Sequence, residues 1–125
     1  MNAPTIPISW GELLDKIAIL TIKVDRLRNA LARTNAEQEL AMLRAVAASV
    51  RGVAELDAAL LAVNMRLWRI EDLIREKEAA GDFGAAFVAL ARSVYRENDE
   101  RGRIKAAINR ALGSVLVEEK QYAEY

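Results

Sequence analysis

No proline occurs after Pro7, and through most of the chain that follows apolar residues recur at alternating steps of four and three. Leu13, Ile17, Leu20, Val24, Leu27 and Leu31 step in this way. So do Leu56, Leu60, Val63, Leu67, Ile70 and Ile74, and then Phe83, Phe87, Leu90 and Val94. This spacing returns side chains to one face of an α-helix and is the period of helices packed side by side. The period-two alternation of a half-buried strand is absent. Ala and Leu are the commonest residues, and both lose little freedom on entering a helix. The expected fold is all-α: an elongated up-down bundle of four helices, or three if the second and third are continuous. The 125 residues form a single helical domain, with 1–8 as an N-terminal arm and 114–125 as an extended C-terminal tail.

Helix boundaries follow from local chemistry. Ser9 and Glu12 have the spacing of a capping box, with Ile8 before them. The first helix is expected to start there and to stop near Arg33-Thr34-Asn35, with Leu14, Ile19 and Ile22 widening its apolar face. A second runs from about Ala36 to Val50, and Gly52 favours a break before the third. Gly81 is a C-terminal stop, Asp82 the next N-cap, and Gly113 the end of the fourth helix. In phase, the stripe of that last helix meets Glu97, Arg101, Ile104 and Ile108. Its core face is therefore interrupted by polar residues near 97–101, as a kink or as a pocket.

Composition removes many chemistries. There is no His and no Cys, hence no imidazole base, no thiolate nucleophile and no zinc or iron–sulfur ligand set. The 18 basic and 18 acidic side chains cancel, so a general nucleic-acid footprint is missing and nucleic-acid binding is not expected. The longest uncharged run is 11 residues, Met1 to Gly11, where a membrane span needs about 20. The N-terminus lacks the regions of a signal peptide. A cytoplasmic protein without a membrane segment is expected.

Two polar constellations remain. On the third helix Glu71, Asp72, Arg75 and Glu78 lie beside the apolar stripe. Glu71 and Arg75 are an i, i+4 pair, which reads most simply as a solvated face. Alternatively, Glu71, Asp72 and Glu78 are candidate oxygen ligands for Mg²⁺ or Mn²⁺. On the fourth helix Tyr95, Asn98, Asp99, Arg101 and Lys105 form the second. There Arg101 would offer a planar fork to a phosphate or carboxylate, with Asn98 or Asp99 orienting it. Glu12, Asp15, Lys16 and Lys23 on the first helix read as a polar seam, and Tyr122 and Tyr125 as docking the tail. The Mg²⁺ pattern of all-helical nucleoside-triphosphate pyrophosphohydrolases, E-E-x-x-E followed by E-x-x-D, fails. Arg75 stands where an acid is needed, and Glu97 and Asp99 are two apart.

Several segments together carry a resemblance. They are Ser9-Trp10-Gly11-Glu12-Leu13-Leu14-Asp15-Lys16-Ile17, Leu67-Trp68-x-Ile70-Glu71-Asp72-x-Ile74-Arg75, Leu90-Ala91-Arg92-x-Val94-Tyr95, Asn98-Asp99-x-Arg101, Lys105, Ile108-Asn109, Gly113-Ser114 and Val117-Glu118-Glu119-Lys120-x-Tyr122. The chain resembles a family of small, mostly bacterial proteins known only as a domain of unknown function. The stretch from 36 to 60 contributes nothing to the likeness. The resemblance implies a self-standing helical unit and a setting in cell-surface polysaccharide biosynthesis, and transfers no activity. The function expected is a non-catalytic interaction or oligomerisation module, a homodimer, with helix one or the C-terminal tail as partner surfaces. The competing expectation is a divalent-metal-dependent enzyme or sensor for a phosphorylated small molecule such as a nucleotide or nucleotide-sugar.

Overall fold

The computed structural model describes residues 1–125 and contains four helices and no strand: α1 (Trp10–Arg26), α2 (Ala30–Val46), α3 (Ala54–Ala79) and α4 (Ala85–Ala111). α1 lies at the centre and touches the other three helices. α3 and α4 pair along their length, and α2 rests on α1 alone. The bundle is thus a core of α1, α3 and α4, with α2 as an outrigger.

The wide apolar face of α1 explains its place. Leu14 and Ala18 join Val53, Leu60, Val63, Ile104 and Ile108 in the main core. On another side of α1, Leu20 joins Ala36 and Leu40 in a smaller cluster. One helix supplying two cores needs more than a single stripe.

The boundaries of α1 and α2 differ from expectation. α1 stops at Arg26 rather than near Thr34, because Leu27 turns extended and Asn29 caps a new helix, its side chain accepting from Ala32 N–H at 2.9 Å. The Arg33 guanidinium donates to the Leu27 carbonyl at 2.8 and 3.2 Å, satisfying an acceptor at the end of α1. Leu31, in phase with the α1 stripe, is accordingly on the surface at 71% exposure. α2 likewise ends at Val46, short of Val50. The break before α3 is real: Gly52 has φ +82°, which a helix excludes and glycine accepts without strain.

Asp82 does not cap α4 as expected. Gly84 holds the N-cap position, and the Asp82 carboxylate accepts from Gly84 N–H at 3.2 Å and from Lys77 at 3.1 Å. Phe83 therefore sits in the turn, edge-on to Phe87 with ring centroids 5.2 Å apart. The turn itself is a Schellman closure: Asp82 N–H reaches the Lys77 carbonyl and Gly81 N–H the Glu78 carbonyl, with Gly81 at φ +64°.

At 26 residues, α3 is about 39 Å long, against about 25 Å for α1. The α3–α4 hairpin therefore extends past α1 as an arm. Every fully buried residue lies outside the stretch from Met65 to Arg103. α4 runs unbroken through Asn98 and Asp99, so its polar interruption does not end one helix and cap another. Residues 114–125 have no regular structure and run back along α4. There Glu118 meets Lys105, and Tyr125 meets Asp99 and Tyr95.

Candidate functional site

The first turn of a helix leaves backbone donors without partners. In α1 three of these are taken by oxygens. Ser9 Oγ accepts from Glu12 N–H at 3.1 Å, Asn109 Oδ1 from Gly11 N–H at 2.7 Å, and Ser114 Oγ from Trp10 N–H at 3.3 Å. The C-terminal end of α4 thus caps the N-terminal end of α1. The fit is close: a Cβ on Gly11 would lie 2.6 Å from the Lys105 carbonyl oxygen and 2.9 Å from Asn109 Oδ1. The capping box is only half formed, since Glu12 spends its carboxylate on Lys105 at 2.7 Å instead of returning to Ser9.

Below this joint lies a buried ion network. Asp15, with 0% exposure, receives one edge of the Arg101 guanidinium, with Nε at 2.9 and 3.1 Å and Nη2 on Oδ2. Asn64 Nδ2 donates to the same carboxylate at 2.9 Å. Lys105 Nζ, also buried, holds Glu12 at 2.7 Å and Glu118 at 2.8 Å, and lies 3.7 Å from Asp15. No buried side-chain oxygen or nitrogen lacks a partner. Desolvation alone would raise the Asp15 carboxyl. Hydrogen bonds from Arg101 and Asn64, with the charges of Arg101 and Lys105, outweigh it and hold Asp15 below its ordinary value. Burial likewise disfavours the charged Lys105, but Glu118 and Glu12 reverse that and raise it. The Lys105 ammonium lowers Glu118.

Arg101 therefore does meet a carboxylate, and it is the chain's own. With Glu12, Asp15 and Glu118 on Arg101 and Lys105, three carboxylates face two cations, and both cations are neutralised from within. Sequence reasoning gave Asp15 to a polar seam and did not join Asn64, Asn109 or Glu118 to it. One signal was present. Asp15 stands three residues before Ala18 and seven before Ile22, inside the widened apolar face, where a carboxylate needs a cationic partner.

A cleft of about 400 Å³ opens where the arm leaves the core. Ile19, Ile22, Leu67 and Trp68 line it, and Glu71, Asp72, Arg75, Asn98 and Arg101 bring polar groups to it. Members of both sequence constellations, Glu71, Asp72 and Arg75 of one and Asn98 and Arg101 of the other, thus meet in one concavity. Glu71 and Arg75 form an exposed pair at 3.3 Å, and Glu78 lines none of the larger clefts. No three acidic side chains approach closely enough to hold a metal ion. Tyr95 and Asp99 face a neighbouring cleft beneath the tail.

Fold and site together define a small all-helical protein with a buried Asp–Arg–Lys network at the joint of its first and last helices. The chain belongs to the family of unknown function DUF6165, whose model matches residues 5–125. No curated protein and no solved structure matches it. No helix is long and apolar enough to cross a membrane. Many of the residues that carried the family resemblance, from Ser9, Gly11, Glu12 and Asp15 to Arg101, Lys105, Asn109, Ser114 and Glu118, are those of the joint and its network.

Proposed function

We propose that the chain is a non-catalytic oligomerisation module that pairs with a second copy of itself through the arm of α3 and α4. The observation that carries this reading is the absence of any fully buried residue from Met65 to Arg103, although the apolar stripe continues through Leu67, Ile70, Ile74, Phe87, Leu90 and Val94. A two-helix hairpin cannot cover its own apolar faces. Phe83 is 55% and Val88 51% exposed. The wide face of α1 packs in large part on its three neighbours.

Charge favours a second copy as the occupant. From Glu71 to Asp82 acids outnumber cations, whereas α4 from Ala85 to Arg96 carries Arg92 and Arg96 and no acid. A two-fold pairing that sets α3 of one copy against α4 of the other brings opposite charges together and builds a four-helix bundle from two hairpins. The internal neutralisation of Arg101 and Lys105 favours a structural over a catalytic role for the network. The polysaccharide setting implied by the resemblance is compatible with such a module and assigns no residue a task.

Light scattering coupled to size exclusion at tens of micromolar tests the reading. The wild type is expected at twice its chain mass, and Leu90→Glu at the mass of one chain with unchanged helical content. A monomeric wild type, or a Leu90→Glu variant that remains a dimer, overturns it.

A further inference from the structure

The chain has three tyrosines, and Tyr95, Tyr122 and Tyr125 all line one cleft of about 980 Å³ between α4 and the C-terminal segment. Tyr122 and Tyr125 stay 74% and 78% exposed, so the cleft is not a core in which they are simply buried. Tyrosine presents a flat apolar face and a polar tip at small entropic cost, which suits it to gripping ring compounds. The volume falls at the upper end of the range of small-molecule pockets.

The polar groups of the cleft have donors to spare. Arg101 gives Nε and Nη2 to Asp15, but Nη1 reaches only Asn98 at 3.4 Å, a long bond. Lys120 lies 3.7 Å from one Glu118 oxygen, too far for a hydrogen bond. Both cations line the cleft, together with the acids Asp99 and Glu124. Asp99 accepts from the Tyr125 hydroxyl at 2.5 Å through one oxygen, which leaves the other for a ligand hydroxyl. Spare cationic donors beside aromatic faces call for an acceptor-rich group attached to a ring.

We propose that this cleft binds a small ring compound bearing a phosphate, of the nucleoside monophosphate kind. The phosphate takes Arg101 Nη1 and Lys120, and the ring lies against the tyrosines. The C-terminal segment is one wall of the site, moored by Glu118 on Lys105 and by Tyr125 on Asp99.

The 125-residue chain titrated with AMP and UMP tests this, with adenosine, uridine and inorganic phosphate as separate arms. Tyrosine ring resonances are the readout, and the indole signal of Trp10, which does not line the cleft, is the control. The monophosphates are expected to shift tyrosine signals saturably, with nucleosides and inorganic phosphate each weaker by about tenfold or more, the scale of one lost charge-assisted contact. Lys120→Ala and Tyr122→Leu, both on the unstructured segment, are expected to weaken AMP or UMP binding without altering helical content. Absence of saturable shifts with either monophosphate at low millimolar concentration overturns the proposal. So does binding that survives both substitutions, or inorganic phosphate binding as tightly as the monophosphates.

Discussion

The two ends of the α3–α4 hairpin are built on opposite plans. At the core end, Ile108, Leu60 and Val63 are wholly enclosed, and the charges of Asp15, Arg101 and Lys105 are closed on one another. At the arm end, apolar residues lie half open and ion pairs such as Glu71–Arg75 stand in solvent. The periodicity is the same at both ends. What differs is the number of neighbours: α1 covers the core end, and beyond it only the C-terminal segment touches α4, through Tyr125 on Tyr95 and Asp99. The apolar stripe says which face a helix will bury; the third helix decides whether it is buried.

The largest expected effect separates the ends by charge. Asp15→Ala removes the carboxylate shared by Arg101, Asn64 and Lys105 and leaves a guanidinium short of its partner. The expected loss is about 3–5 kcal/mol of unfolding free energy, read from urea denaturation. Asp72→Ala, an exposed acid on the arm, is expected to stay within about 0.5 kcal/mol. Equal losses would erase the distinction between a satisfied core and an open arm. Next in size is Gly11→Ala. Its methyl would press on the Lys105 carbonyl, a backbone atom that cannot step aside as a side-chain tip can, and the expected cost is about 1–3 kcal/mol. A neutral substitution would mean that the joint of α1 and α4 is looser than its geometry.

How much was legible follows the same division. The all-α class, the Ser9 cap, the break at Gly52 and the end near Gly113 came from local signals and agree with the structure. The end of α1 did not, because the four-three stripe continues through Leu27 and Leu31, and neither glycine nor proline marks the turn. Asn29 was the signal, a cap residue hidden in a helical pattern. The candidate site was half legible. Arg101 stood out as a polar residue on a core face, and Lys105 as its neighbour in the polar constellation. Asp15, Asn64, Asn109 and Glu118 are drawn to them from three other segments and from farther along α4, and only tertiary contacts bring those together. Periodicity along one helix carries no information about which helix faces it.

The smallest effect concerns the moored segment, and its pH dependence separates it from the core. Asp15 and Glu118 both have folded values depressed below their ordinary 3.8 and 4.5. Each contributes stability that is fully present above its ordinary value and is lost as pH falls through the lowered folded one. Lys105 is raised above 10.5, so its share is present below that value and fades as pH rises through the folded one. Urea midpoints are therefore expected to be flat from about pH 5 to 9 and to fall on both sides. Glu118→Gln breaks only the tail's share. Glu118 is 38% exposed, so solvent screens the pair, and the expected cost near neutrality is below about 1 kcal/mol. The variant should keep most of the acid limb, which belongs to buried Asp15, while proteolysis after Lys120 accelerates as the segment loses its mooring. If Glu118→Gln instead flattened the acid limb entirely, the tail rather than the core would hold the network's charge, and the contrast between enclosed and open ends would have to be redrawn around the C-terminal segment.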